Sequence, residues 1–116
     1  MDVQFPLFVF EKDDHSMYLI ETRERVLYRL EAIDIENDEY LFWDASGAGV
    51  CVSLTRDVID SVRLCDPPMT LPDAFEAYAR AHELHMPSGQ SPLATWGSLQ
   101  SQLPPKKALW TRLFGG

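Results

Sequence analysis

The chain has 116 residues, 46% of them apolar and 11% aromatic, and carries 10 Lys and Arg against 18 Asp and Glu, a net charge of −8. That much apolar material supports one core without a metal or disulfide scaffold and excludes disorder throughout. The acidity excludes nucleic acid as the main partner, because phosphate neutralisation needs clustered Lys and Arg.

No run approaches about 18 uninterrupted apolar residues, so no membrane span is expected. The start, Met1-Asp2-Val3-Gln4, lacks the cationic and apolar stretches of a signal peptide, and a cytoplasmic protein is the expectation.

Residues 4–10 (QFPLFVF) are rich in aromatic and branched side chains and predict a first strand. Residues 17–21 (MYLIE) predict a second, with the polar residues 11–16 as a connection of hairpin length. Residues 22–27 fit one helical turn or an irregular link. Residues 29–36 predict a third strand, because Glu31, Ile33 and Ile35 alternate against Leu30, Ala32, Asp34 and Glu36. Asn37-Asp38 then reads as a tight turn, and residues 39–44 (EYLFWD) as the returning strand.

The turn Ala45-Ser46-Gly47-Ala48-Gly49 leads into a β-type run, residues 50–54. A phosphate cradle would lead into a helix, and Ser46 lacks the Gly-x-Ser-x-Gly frame of a nucleophile elbow. Residues 55–64 fit either a helix or an edge strand, and the strand is favoured. Several of these segments are apolar on both sides, so the sheet is expected to be covered on both faces, or on one with a subunit contact on the other.

Pro67-Pro68 marks a change of character. Residues 1–66 hold 15 acidic and 6 basic side chains, whereas residues 67–116 hold 3 and 4. The expected organisation is a single domain over 1–116, with an acidic β-rich half (1–66) and a helical half (67–116). Thr70-Leu71-Pro72-Asp73 has the form of an N-terminal cap. The helix it starts should run to about Leu84 and bury Leu71, Ala74, Phe75, Tyr78 and Ala81. Ser91-Pro92 starts a second helix carrying Leu93, Trp96, Leu99 and Leu103, stopped by Pro104-Pro105.

In residues 106–114, Leu109, Trp110, Leu113 and Phe114 form one face flanked by Lys107 and Arg112. Docking of this amphipathic segment on the acidic half is expected ahead of a partner groove or a membrane. The fold class is therefore α+β, an antiparallel sheet of about five strands with the C-terminal helices packed on one face.

Three groups of residues could carry chemistry. Cys51 and Cys65 fit no metal or redox spacing, and Cys51, between Val50 and Val52, reads as a buried thiol packing as a small hydrophobe. His82 and His85, three apart on one helical face, could serve a metal or acid/base site with a carboxylate, but His82-Glu83-Leu84-His85 is one residue short of the zinc-protease spacing. Capping of the helix C-terminus is the weightier reading, and no metal or cofactor is expected.

Asp34, Glu36, Asp38, Glu39, Tyr40 and Asp44 crowd carboxylates around one hairpin end beside an aromatic group. These six are the expected binding residues. The functional expectation is a non-catalytic binding protein, in its most concrete form an acidic inhibitor or immunity-type protein of a bacterial cell, whose partner is a protein with a basic surface. The alternative is a small enzyme or ligand-binding domain using His82 and His85. A membrane is disfavoured as partner, and monomer and homodimer are both left open.

Overall fold

Leu7–Glu11, the first strand (β1), sends Leu7 and Val9 to one side and Phe8 and Phe10 to the other, and all four are buried. The structure, a computed structural model, describes residues 2–104. With β2 (Met17–Ile20), β3 (Tyr40–Trp43), β4 (Gly49–Thr55) and β5 (Val58–Leu64), β1 forms an antiparallel sheet in the order β2-β1-β3-β4-β5. The α+β expectation of a five-stranded sheet followed by helices holds. The ambiguous residues 55–64 supply the edge strand β5, entered through a two-residue turn with Arg56 and Asp57 both left-handed (φ 52° and 63°).

Each face of β1 has its own core. Phe8, Phe10, Met17 and Trp43 pack under the helices α3 (Leu71–Ala81) and α4 (Pro92–Ser101), which contribute Leu71, Ala74, Phe75, Tyr78 and Leu99. Phe8 meets Phe75 edge-on at 5.4 Å between ring centroids, and the Trp43 indole N–H donates to the Met69 carbonyl at 3.2 Å. On the opposite face, Leu7, Val9, Ile20, Phe42 and Val50 pack against Val26, Leu30 and Ile35. The sheet is thus covered on both faces from within the chain.

That second cover corrects the strand expected at residues 29–36. A 3₁₀ turn (Arg23–Arg25) leads into two short helices, α1 (Val26–Arg29) and α2 (Ala32–Glu36). β1 lies between β2 and β3, so the β2–β3 connection has to cross the exposed side of β1 and supply apolar groups to it. Val26 and Leu30, four apart, do this from adjacent turns. The apparent alternation has no sheet behind it: Ile35 is buried, but Ile33 is 60% exposed.

The helix caps follow local chemistry. Thr70 Oγ accepts from the Asp73 N–H and Ser91 Oγ from the Ala94 N–H, with a proline at the start of each helix. α3 ends at Ala81, earlier than the expected Leu84. Glu83 turns left-handed (φ 57°), its N–H reaches the Arg80 carbonyl, and the Leu84 N–H reaches the Ala79 carbonyl at 2.8 Å. This is the Schellman pattern of a helix stop. No described helix is long and apolar enough to cross a membrane.

The cysteines also depart from expectation. Cys51 faces away from Val50 and Val52, opposite Arg63, while the Cys65 N–H pairs with the Gly49 carbonyl just beyond the end of β5. The two thiols are therefore diagonal neighbours on one face, their Cα atoms 5.8 Å apart, and they form a disulfide. Cys51 is a half-buried cross-link and not an isolated core thiol. At Gly49 itself, an added Cβ would lie 2.5 Å from the Cys65 carbonyl oxygen and 2.6 Å from Pro67 Cδ, so only glycine admits the return of the chain after β5. The expectation for residues 106–114 falls outside the described residues.

The disulfide closes a loop across a separation of 14 residues. Loop-closure entropy predicts that the Cys51→Ala/Cys65→Ala variant loses about 3 kcal/mol in urea unfolding while keeping its far-ultraviolet circular dichroism. An unchanged unfolding midpoint would contradict the cross-link's role.

Candidate functional site

The carboxylates gather where β1 ends, β3 begins and α2 stops. α2 closes with a second Schellman pattern: Asp38 is left-handed (φ 58°), its N–H reaches the Ile35 carbonyl, and the Glu39 N–H reaches the Asp34 carbonyl at 3.1 Å. In such a stop, the residues corresponding to Asp34 and Glu39 come together and are commonly apolar. Here both are acids. A hydrogen bond between the Asp34 and Glu39 carboxyls, aided by partial burial and by the charges of Asp34 and Asp13, pushes Glu39 above its ordinary value.

The β1–β2 loop adds acids that the sequence reading passed over. Glu11 lies opposite Tyr40 in the β1–β3 ladder, and the Lys12 N–H continues that ladder to the Glu39 carbonyl at 3.0 Å. This register brings Asp13 and Asp14 to the end of the sheet occupied by Glu39. Burial raises the Glu11 carboxyl. The bond from the Tyr18 hydroxyl (3.0 Å) works against that rise, and Asp14 and Asp13 reinforce it. Asp14 goes the other way: burial lifts it, but hydrogen bonds from Ser16 and Glu11 outweigh the lift. Lys12 Nζ meets Asp38 Oδ2 at 3.1 Å, an exposed pair of little energetic weight.

Of the six expected binding residues, Asp34, Asp38 and Glu39 are brought together, with Glu36 exposed one turn away at the end of α2. Asp34 and Glu36 lie on a helix and not on the strand face expected for them. Tyr40 is buried, its ring 6.4 Å from Phe42, and its hydroxyl is pushed up to about 12 by burial and then by the charges of Glu11 and Asp34. It lies beneath the rim and offers no exposed anchor. Only the strand register could have shown Asp13 and Asp14 as members, since in sequence they are 20 or more positions from Asp34.

Asp44 does different work. It is buried, and its carboxylate accepts from the Ser46 hydroxyl (2.6 Å) and from the N–H groups of Ser46 (2.9 Å), Gln4 (3.1 Å) and Ala48 (3.2 Å). Burial raises its pKa, but these bonds prevail and hold it below the ordinary carboxylate value. Asp44 thus closes the β3–β4 turn and ties the N-terminal segment to it, with the Ala45 N–H donating to the Gln4 carbonyl at 2.8 Å.

The two histidines do not share a helical face. His82 is the C-terminal cap of α3, its ring 4.7 Å from that of Tyr78. His85 is exposed beyond the Schellman stop, and its backbone is held by Gln102, which accepts from the His85 N–H at 2.7 Å and donates to the His85 carbonyl at 2.8 Å. Among the described residues, no group of three or more His, Cys, Asp and Glu could hold a metal ion. No family model matches the chain, and neither a curated protein nor a solved structure matches it.

Two outcomes separate the roles. Asp44→Ala should cost roughly 3 kcal/mol in chemical unfolding, because it leaves buried N–H groups without an acceptor, whereas Glu36→Ala, at an exposed position of α2, should change stability by under about 0.5 kcal/mol; similar losses for both would place Asp44 on the rim. For Glu39, whose folded pKa is raised, the favourable contribution is complete below the unfolded value and is lost as pH rises through the folded one. Asp34→Asn should return Glu39 toward its ordinary value in an NMR pH titration, and an unmoved Glu39 would rule out the carboxyl pairing.

Proposed function

We propose that this chain is a non-catalytic binding protein whose acidic rim captures a basic protein surface, in the manner of an inhibitor or immunity-type protein. One observation carries the reading: Glu11 and Glu39 are both raised in part by neighbouring carboxyls. Repulsion from neighbouring carboxyls adds to burial at Glu11 and to the pairing with Asp34 at Glu39, and the described ion pair at the rim, Lys12 with Asp38, is exposed. Cationic side chains brought to Asp34, Glu36, Asp38 and Glu39 would relieve that repulsion and speed association. Binding and ionisation are then linked, so affinity should rise with pH through the raised values of Glu11 and Glu39.

The disulfide bears on the setting. Such bonds persist in oxidising compartments and are rare in the cytosol, so within this proposal the Cys51–Cys65 bond favours an oxidising compartment over the cytoplasm expected from the N-terminus.

The test is affinity capture on the immobilised chain, read by mass spectrometry, with Asp38→Lys/Glu39→Lys as control. A basic protein retained by the wild type should bind the variant at least tenfold more weakly, and its affinity should fall steeply between low and moderate salt. Salt-independent binding, or binding indifferent to the two reversals, would overturn the reading.

A further inference from the structure

A sheet edge with unpaired backbone groups is a liability that folded chains normally cover. Among the described residues, β2 pairs only with β1. A groove of about 440 Å³ takes in Tyr18 and Leu19 of β2, Arg29 of α1, and Tyr78 and Trp96 of α3 and α4. Tyr18 and Leu19 point to opposite faces of the sheet, and the helices belong to opposite layers, so the groove runs along the free edge of β2. The Tyr78 and Trp96 rings stack at 6.3 Å between centroids, and Gln100 Nε2 donates to the Tyr78 hydroxyl at 3.1 Å, which holds the aromatic wall in place. A preformed groove of this kind suits an apolar segment with an aromatic side chain of its own.

The point at which the described chain stops identifies the occupant. The Leu103 N–H bonds to the Gln100 carbonyl at 3.1 Å, and this tight last turn sets Leu103 in the lining of the groove. Pro104 is the last residue described, so residues 105–116 set out from the groove's own wall. So short a tether gives them an effective concentration there on the order of millimolar. Their chemistry matches: Leu109, Trp110, Leu113 and Phe114 are apolar, and the charged residues Lys106, Lys107 and Arg112 are all basic. In the lining, Glu21 and Arg29 offset one another. Glu11 and Asp14, hydrogen-bonded to the lining residues Tyr18 and Ser16, leave the β2 side acidic.

We propose that residues 105–116 occupy this groove in their own chain, setting the apolar side chains of 109–114 against Trp96 and Tyr78 and covering the free edge of β2. The proposal does not rest on the binding function, because contacts within one chain and capture of a basic partner are separate readouts. In NMR spectra of the full chain, nuclear Overhauser effects should join the Trp110 indole to side chains of Trp96, Tyr78 or Leu19. Leu109→Ser/Trp110→Ser changes none of the described core residues. It should shift the resonances of Trp96, Tyr78 and Leu19 and leave those of Val9 and Phe42, in the opposite core, where they are.

The decisive arm separates one chain from two. In an equimolar mixture of isotope-labelled and unlabelled chains, the contacts of Trp110 should be lost from spectra filtered for pairs between chains. Contacts that persist there would give the groove to a second copy and overturn the proposal. So would a Trp110 indole in contact with the acidic rim, or one with no contact to Trp96, Tyr78 or Leu19.

Discussion

A strand buried on both sides sets the terms for everything else in this protein. Leu7, Phe8 and Val9 have no exposed surface, and each such side chain returns to water only at a cost of about 1.5–3 kcal/mol. One layer of helices can satisfy one face of β1. The other face needs a second layer, and the segment available for it is the one that links β2 to β3 across β1. The three-layer order, with α3 and α4 above and α1 and α2 below, follows from that requirement. The placement of the rim follows too, since α2 reaches β3 only by stopping beside the end of β1.

The stops themselves shape the surface. α2 and α3 both end with an acidic residue in the left-handed region, Asp38 and Glu83, where glycine is the usual occupant. A left-handed L-residue costs about 1–2 kcal/mol, so each stop is held by its neighbours and not by local preference. At α2 the same geometry turns a helix ending into a carboxyl pair, Asp34 with Glu39, beside the buried residue Tyr40. Electrostatic tension at the rim is thus built from backbone hydrogen bonds, and the charges merely occupy positions that the turn creates.

What could be read in advance was chemistry that acts within a few residues. The hydroxyls of Thr70 and Ser91 reach N–H groups three positions on, and both helix starts were legible for that reason. The turn after Asp44 was legible as well, because its glycines precede a β-type run. Residues 29–36 misled because Glu31, Ile33 and Ile35 mimic a strand, while the pair that matters, Val26 and Leu30, straddles the assumed boundary. The disulfide required knowing that residues 58–64 form a strand in one particular register. Asp44 and Asp38 look alike in the sequence, and only the converging N–H groups of Gln4, Ser46 and Ala48 separate an internal clamp from a surface charge. Asp13 and Asp14 joined the rim through the β1–β3 register, which no local pattern carries.

The pairing of β3 with β4 is brief: Phe42 faces Val50, Trp43 faces Gly49, and the ladder stops there. The β4–β5 hairpin is cross-linked to itself by Cys51 and Cys65, yet that bond does not reach the three strands around β1. Two rungs, the Asp44–Ala48 bonds that close the turn, the snug fit of Gly49 against the returning backbone and the apolar packing below them join the two parts. Sparse pairing of this kind is where a sheet can open in separate cooperative units. In native-state hydrogen exchange, the amides of β1 should fall in the slowest class, which opens only with the whole molecule, and those toward the tip of the hairpin in a faster class that opens as a hinged flap.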